Sequence, residues 1–166
     1  FALIKIGDIS GWLKEELAGY EVQERFEDES YFEDCRRLVK SYRLQDCLFF
    51  TGKQDVKEYY AFLDVVMLTS IREAQPLVIL EALAAGIPFV STKVGNVMEL
   101  LDYDENFLSA SKDAEKLASC VLYIYTHREE AAKLVKRKKE LVMKFYDRRT
   151  VFKKYDSLYR AGKEEG

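Results

Sequence analysis

A chain of 166 residues corresponds to one domain of ordinary size, which excludes a large multidomain assembly. Hydrophobic residues make up 48% and charged residues 33%, so we expect a packed globule and exclude extensive disorder. The formal net charge of -3 removes the usual electrostatic reason to expect a nucleic-acid-binding protein.

Counts of particular residue types exclude several kinds of site. No apolar run approaches the ~20 residues that a transmembrane helix requires. The cysteines are Cys35, Cys47 and Cys120, an odd number without a Cys-x-x-Cys pair, which indicates reduced thiols in a cytoplasmic protein and neither disulfides nor a metal site. The single histidine, His127, falls at a polar junction between predicted helices, so a histidine dyad and the usual zinc sites are also excluded.

Apolar runs of strand length alternate along the chain with segments of helical periodicity. This alternation predicts an α/β fold with a mainly parallel sheet, followed by a helical C-terminal segment. The predicted strands are Ala2–Ile6, Tyr20–Arg25, Cys47–Phe50, Asp64–Leu68 and Ile87–Ser91. The predicted helices are Ser10–Ala18, Glu29–Tyr42, Val56–Phe62, Pro76–Ala85, Ala114–Tyr125, Glu129–Tyr146 and Val151–Tyr159, with a frayed tail over Ala161–Gly166.

The segment from Asp64 to Ser91 reads as a β-α-β unit. Sheets built from such units bind ligands at the carboxyl ends of their strands. The loops of interest are therefore Thr51–Gln54, Thr69–Gln75 and Thr92–Val97.

The helix predicted between Pro76 and Gly86 contains one charged residue, Glu81, among apolar and small ones. A buried carboxylate without a partner costs several kcal/mol, so Glu81 requires a partner. Two interpretations are equally open from the residues alone. One is a structural partner such as a backbone N–H or an arginine, and the other is a ligand that offers both hydroxyls of a ribose.

The start of the same helix has the character of a phosphate site. The N–H groups of Ala74, Gln75 and Leu77 lie at or just before the first turn, where the helix dipole favours an anion. Glu73 lies in the preceding loop, where a sugar attached to that phosphate would be. With Glu81 as the ribose-binding group, the arrangement predicts a pocket for a nucleotide sugar.

At these residues the chain resembles the retaining glycosyltransferases of family 4 (group 1), in which Glu73 and Glu81 correspond to the E-x7-E pair. The resemblance covers about Tyr31 to Tyr159, and the Ser-x-x-Glu-Ala-Gln-Pro-Leu form is closest to the branch associated with exopolysaccharide synthesis. The other matching stretches are Phe49–Gly52, Val56–Tyr60, Asp64–Ser70, Gly86–Gly95 and Glu99–Leu101.

The resemblance implies a GT-B enzyme, in which two Rossmann-like domains face each other across a cleft. This chain is similar to the C-terminal, donor-binding domain, a three-layer α/β/α unit with a mainly parallel sheet. Because it begins at Phe1 instead of Met and runs directly into the predicted strand Ala2–Ile6, we expect it to be a piece of a longer protein, inactive by itself, that pairs with an N-terminal acceptor domain. The implied reaction transfers a hexosyl group from a UDP-, GDP- or ADP-sugar with retention.

The resemblance also implies roles for individual residues. Glu73 would contact the donor sugar and help to stabilise an oxocarbenium-like transition state, and Glu81 would hold the ribose. No metal is implied, because amides, the helix dipole and basic side chains neutralise the leaving diphosphate. The remaining implied donor-binding residues are Ser70, Ala74, Gln75, Leu77, Thr51, Gly52 and Lys53, with Gly95 and Asn96 in the wall of the cleft.

Two departures from the family pattern bear on the diphosphate. The family commonly has Glu-Gly-Phe-Gly where this chain has Glu73-Ala74-Gln75-Pro76, and Pro76 has no N–H to donate, so the Gln75 side chain is a candidate substitute. The Gly-Arg…Lys-Gly segment that typically supplies cations has no clear counterpart in Phe1–Gly19. The candidate cations are Lys5, Arg25, Lys53 and Arg72.

Several alternatives stay open. A nucleotide-sugar-binding module without catalysis is the second functional hypothesis, and a hydrolase with Glu73 and Glu81 as paired carboxylates is the third. The basic run Lys133–Lys139 is predicted to be a solvated helix face, with contact to anionic lipid at the inner face of the membrane as the alternative. The C-terminal aromatic residues are predicted to pack in a core; they are Phe145, Phe152, Tyr155 and Tyr159.

Overall fold

A computed structural model of the chain describes residues 2–4, 29–51 and 55–164. The predicted helix Ser10–Ala18 and strand Tyr20–Arg25 lie outside these residues. The chain divides into two compact units. The smaller unit is Gly7–Glu58, and the larger unit combines Phe1–Ile6 with Tyr59–Gly166.

The unit Gly7–Glu58 contains helix α1 over Glu29–Ser41, close to the predicted bounds. In this unit the ring of Phe32 meets that of Phe50 edge-on, with centroids 5.1 Å apart. Leu38 of this helix is 55% exposed.

The strand predicted over Cys47–Phe50 is wrong. The amides of Cys47 and Leu48 both donate to the Leu44 carbonyl, at 3.1 and 2.9 Å, so the chain is still turning there and the apolar run pairs with no strand in the described residues. The predicted helix Val56–Phe62 consists of two short 3₁₀ turns, Val56–Glu58 and Tyr60–Phe62.

The larger unit is built on a sheet whose described strands lie in the order β1 (Ala2–Ile4), β2 (Val65–Leu68), β3 (Phe89–Thr92) and β4 (Leu108–Ser109). Strands β2 and β3 pair in parallel, as do β3 and β4, which confirms the predicted parallel core of the sheet. Strand β1 pairs antiparallel with β2, with Ala2 opposite Met67.

Helix α2 spans Leu77–Ala85 and connects β2 to β3. Pro76 stands at its N-cap, and Gly86 ends it in the left-handed conformation with φ 89°. The amides of Gly86 and Ile87 donate back to the carbonyls of Leu83 and Ala82, at 3.0 and 2.8 Å, which is the Schellman termination that glycine favours. The predicted β-α-β unit is therefore present, with its bounds shifted by one or two residues.

The core lies between the sheet and the helices of the larger unit. Strands β2 and β3 are almost wholly buried, and the buried side of α2 packs against helix α5, which spans Arg128–Phe145. The largest fully buried apolar side chains include those of Phe89, Ile79, Leu83, Leu101 and Leu108. The remaining helices are α3 (Val97–Leu100), α4 (Ala114–Thr126), α5 (Arg128–Phe145) and α6 (Arg148–Glu164).

The C-terminal aromatic residues are exposed, whereas the sequence predicted that they pack in a core. Phe145 is 45% exposed and Tyr159 is 74% exposed, with Phe152 and Tyr155 between these values, so their rings are not in the core of this chain. Helix α6 contacts α5 and continues to Glu164, where the sequence predicted fraying from Ala161.

One member of the basic run is buried, against the prediction of a solvated face. Lys138 is 3% exposed, and its ammonium donates to Asp102 Oδ1 at 2.6 Å. Arg137 donates to the other oxygen of the same carboxylate, also at 2.6 Å, but is largely exposed. Asp102 has φ 53°, a left-handed conformation that aspartate and asparagine tolerate. The buried ion pair between Asp102 and Lys138 therefore joins the loop after α3 to helix α5.

Asp102→Asn is expected to lower the free energy of unfolding by about 1–3 kcal/mol, because the buried Lys138 ammonium loses its counter-charge. Asparagine keeps an acceptor oxygen and the left-handed backbone preference, so the change isolates the charge. Urea unfolding followed by circular dichroism measures it. The matched control is Arg137→Ala, which removes the exposed partner and should cost at most about 1 kcal/mol. Equal effects of the two changes would contradict the importance of the buried pair.

The three cysteines are free. Cys120 lies on the buried side of α4, and this burial raises the pKa of its thiol, whereas Cys47 is exposed. No helix within the described ranges is long and apolar enough to cross a membrane.

Candidate functional site

The loops that follow β2 and β3 meet at the carboxyl ends of these strands. Gly95, after β3, has φ 52°, and a Cβ placed on it would lie 2.8 Å from the carbonyl carbon of Ala74 and 3.1 Å from the carbonyl oxygen of Glu73. Only glycine permits this backbone approach. Gly95 therefore fixes the position of the backbone at Glu73 and Ala74, whereas the sequence predicted only that it lies in the wall of the cleft.

Glu73 is held by the loop that carries it. The hydroxyl of Ser70 donates to Glu73 Oε1 at 2.8 Å. The loop is in turn tied to β3, because the buried hydroxyl of Thr92 donates to the Ser70 carbonyl at 2.6 Å. This chain of bonds restrains the Glu73 carboxylate, which is partly buried. Ser70 was expected to bind the donor, and the structure shows it bonded to Glu73.

Glu81 lies on the exposed side of α2, and its partner is a residue that the sequence did not suggest. The hydroxyl of Tyr60 donates to Glu81 Oε2 at 3.0 Å. The pKa of Tyr60 is raised, mainly by burial and secondly by the hydrogen bond to Glu81. The hydroxyl therefore keeps its proton at neutral pH. Glu81 is exposed, where the apolar surroundings in sequence suggested burial. Glu81 thus has a structural partner, and this partner is a tyrosine, whereas the examples that the sequence suggested were a backbone N–H and an arginine.

The N-terminus of α2 faces the same loops. Ala74, Gln75 and Leu77 are exposed. Pro76, at the N-cap, has no side-chain group that can accept from the first-turn amides. The Ile79 amide donates to the Pro76 carbonyl at 3.2 Å, so the donors that remain for an anion at the positive end of the helix dipole are the earlier amides. The phosphate site at these residues stays a prediction.

Asn96 begins α3 beside Gly95. Its side-chain amide donates to the Tyr146 hydroxyl at 3.4 Å, while its Oδ1 is buried and accepts no hydrogen bond in the part of the chain that the structure describes. Tyr146 follows α5, so Asn96 links the candidate site to the C-terminal helices.

The other predicted site residues are distributed as follows. Thr51 lies in the unit Gly7–Glu58 and is partly buried there, whereas Gly52 and Lys53 lie outside the described residues. Among the candidate cations, Arg72 is exposed in the loop before Glu73, and Lys5 and Arg25 lie outside the described residues. Within the described ranges, no group of three or more histidine, cysteine, aspartate or glutamate residues could hold a metal ion.

Comparison with known proteins identifies the class to which this α/β fold belongs. Residues 11–141 match the family described as glycosyl transferases group 1. Because the match extends over most of the chain, the chain belongs to the glycosyl transferases group 1 family. This confirms the predicted resemblance, although the match begins and ends earlier than the range of about Tyr31 to Tyr159.

Among curated relatives, the chain is 30% identical over 125 residues to the N-acetyl-alpha-D-glucosaminyl L-malate synthase of Bacillus anthracis, covering 74% of this chain and 33% of that protein. It is 31% identical over 137 residues to WcaL of Escherichia coli K12, a protein assigned to colanic acid biosynthesis as a glycosyltransferase; here it covers 76% of this chain and 34% of the relative. The chain therefore spans about a third of the length of these relatives.

Solved structures show the same fold. The sucrose-phosphate synthase of Thermosynechococcus elongatus matches with a TM-score of 0.75 and 26% identity, over 89% of this chain and 38% of that one. Anabaena HepE, solved in complex with UDP-glucose, matches with a TM-score of 0.76 and 22% identity, over 96% of this chain and 47% of that one. The fold is the Rossmann-like α/β architecture of GT-B glycosyltransferases, as predicted.

Proposed function

We propose that this chain is the donor-binding part of a glycosyltransferase that moves a hexosyl group from a nucleoside-diphosphate sugar to an acceptor with retention. The observation that carries the proposal is the common placement of Glu73, the start of α2 and Glu81 in a chain that belongs to glycosyl transferases group 1. The acceptor site and an N-terminal domain belong to a longer protein in this proposal, so the chain alone turns nothing over.

In this proposal, different positions along α2 bind different parts of the nucleotide sugar. The amides of Ala74, Gln75 and Leu77 bind the diphosphate, where the helix dipole offsets negative charge without a metal. Glu81 lies one turn further along the helix and accepts hydrogen bonds from the ribose. Glu73 lies on the other side of the diphosphate amides, where the donor sugar would be.

The proposed role of Glu73 is electrostatic. As the bond to the leaving diphosphate breaks, the sugar acquires positive charge at its ring oxygen and anomeric carbon. A carboxylate held by Ser70 and by the Gly95 contact stabilises that charge without reorganising. Its pre-positioning supports catalysis more than ground-state binding.

Calorimetry with UDP, GDP and ADP tests the donor site in this chain. At least one nucleotide is expected to bind, and Glu81→Ala should weaken it about 10-fold, since hydrogen bonds to a charged group are lost. The matched control is Glu130→Ala, because Glu130 is another exposed glutamate that accepts from a tyrosine hydroxyl, that of Tyr123 at 2.6 Å. Failure of all three nucleotides to bind would contradict the proposed function, and equal effects of the two variants would contradict the assignment of Glu81.

A further inference from the structure

Tyr60 and Glu81 form a pair across two elements that are far apart in sequence. Tyr60 begins the 3₁₀ turn Tyr60–Phe62, and Glu81 lies near the middle of α2. The ring of Tyr60 is partly buried against the core, whereas its hydroxyl reaches Glu81 Oε2 at 3.0 Å. A side chain anchored in the core therefore holds one exposed on the helix surface.

Without this bond, the Glu81 side chain would have considerable freedom. An exposed glutamate has three rotatable side-chain bonds, and ordering it costs up to about 2 kcal/mol. Tyrosine has only two, and the packed ring of Tyr60 restricts them further. The cost of orienting the carboxylate is thus met largely on folding, before a ligand arrives.

The bond leaves most of the carboxylate available. An ionised carboxylate has two oxygens and about four acceptor sites, of which Tyr60 occupies one on Oε2. Oε1 and the remaining site on Oε2 can accept from two adjacent hydroxyls, such as those of a ribose. The hydroxyl of Tyr60 remains a donor, because burial and the neighbouring carboxylate raise its pKa.

We propose that Tyr60 is a positioning residue for ribose recognition: its hydroxyl holds the Glu81 carboxylate in the orientation that accepts hydrogen bonds from the 2′- and 3′-hydroxyls of the nucleotide. The inference rests on the proposed function, because it requires Glu81 to bind the ribose. It predicts that the contribution of Tyr60 to nucleotide affinity depends on the presence of those two ribose hydroxyls.

The variant Tyr60→Phe removes one oxygen and keeps the ring, so the packing against the core is preserved. Calorimetry is carried out with the ribonucleoside diphosphate that the unchanged chain binds and with its 2′,3′-dideoxy counterpart. Tyr60→Phe should weaken the ribonucleotide about 3- to 10-fold, the effect of one hydrogen bond, and leave the dideoxynucleotide unchanged. In the Glu81→Ala background, the same change should have no further effect on either nucleotide.

The matched control is Tyr123→Phe, which removes a hydroxyl from the similar Tyr123–Glu130 pair at the α4–α5 junction and should alter neither affinity. Equal weakening of both nucleotides by Tyr60→Phe would overturn the inference, because a structural role would not distinguish them. No weakening by Tyr60→Phe, while Glu81→Ala does weaken binding, would overturn it and leave the proposed function intact. If the unchanged chain binds no nucleotide, the proposed function fails and the inference fails with it.

Discussion

Glu73→Gln in the longer protein proposed above is expected to reduce kcat about 10²- to 10³-fold while changing nucleotide affinity less than about twofold. Glutamine keeps an oxygen that can accept from the Ser70 hydroxyl, so the loop geometry should persist. The proposal places the negative charge of Glu73 opposite the oxocarbenium-like sugar. The variant removes this charge, which in that role is required in the transition state more than in the ground state. Steady-state kinetics with the nucleotide sugar, together with calorimetry with the nucleotide, separate the two effects.

Ser70→Ala is the companion change for this prediction. It keeps the charge of Glu73 and removes the hydroxyl that restrains it, so a smaller loss of about 10-fold in kcat is expected. If Glu73→Gln lowers transfer and nucleotide affinity equally, the carboxylate acts in binding and has no special role in the transition state.

Gly95→Ala is expected to reduce transfer at least about 100-fold, since an added methyl group would collide with the backbone of Glu73 and Ala74. This neighbour is backbone and cannot rotate away as a flexible side chain can. The loop must therefore shift, and the Glu73 carboxylate and the Ala74 amide shift with it. The collision, added to the cost of a left-handed alanine, should also lower the free energy of unfolding by about 2–5 kcal/mol.

Gly86→Ala separates collision from backbone strain. Gly86 also has a positive φ, 89°, but among the described residues a Cβ there would meet only the flexible end of Lys139, at 3.7 Å. This variant should lose about 1–2 kcal/mol of stability and retain transfer, because Gly86 lies at the opposite end of α2 from the proposed diphosphate site. Thermal unfolding and the transfer assay are measured on both variants. Equal stability and equal activity of the two would contradict the close contact between the loops.

The features that could be predicted from sequence are those encoded within a few residues. Proline before the first turn and glycine after the last define the ends of α2, and apolar runs on both sides define β2 and β3. The spacing of Glu73 and Glu81, read with the surrounding stretches, led to the family that the comparison confirms. Local patterns of this kind depend on backbone preferences and periodicity, which act over one or two turns.

The failures have a common physical origin. The Cys47–Phe50 run has the composition of a strand, but strand formation requires a neighbour to pair with, and the local bonds to Leu44 take its place. The two-residue strand β4 was missed for the converse reason: it exists through pairing with β3, and its own residues carry little signal. The aromatic residues of α6 indicate an apolar face, but periodicity does not reveal whether this chain covers it.

The candidate site divides in the same way. Residue types, helix ends and the spacing of the two glutamates follow from the sequence, because each is a property of a short segment. Ser70 holds Glu73 from three residues away. The other groups that orient the two glutamates come from distant segments: Tyr60 is 21 residues from Glu81, Thr92 is 22 residues from Ser70, and Gly95 contacts the Ala74 peptide from the loop after β3. Such partners are set by the packing of the sheet and its helices, since hydrogen bonds and backbone contacts depend on positions in space that periodicity does not specify. The tertiary structure therefore supplies what orients the carboxylates, whereas the sequence supplies the carboxylates themselves.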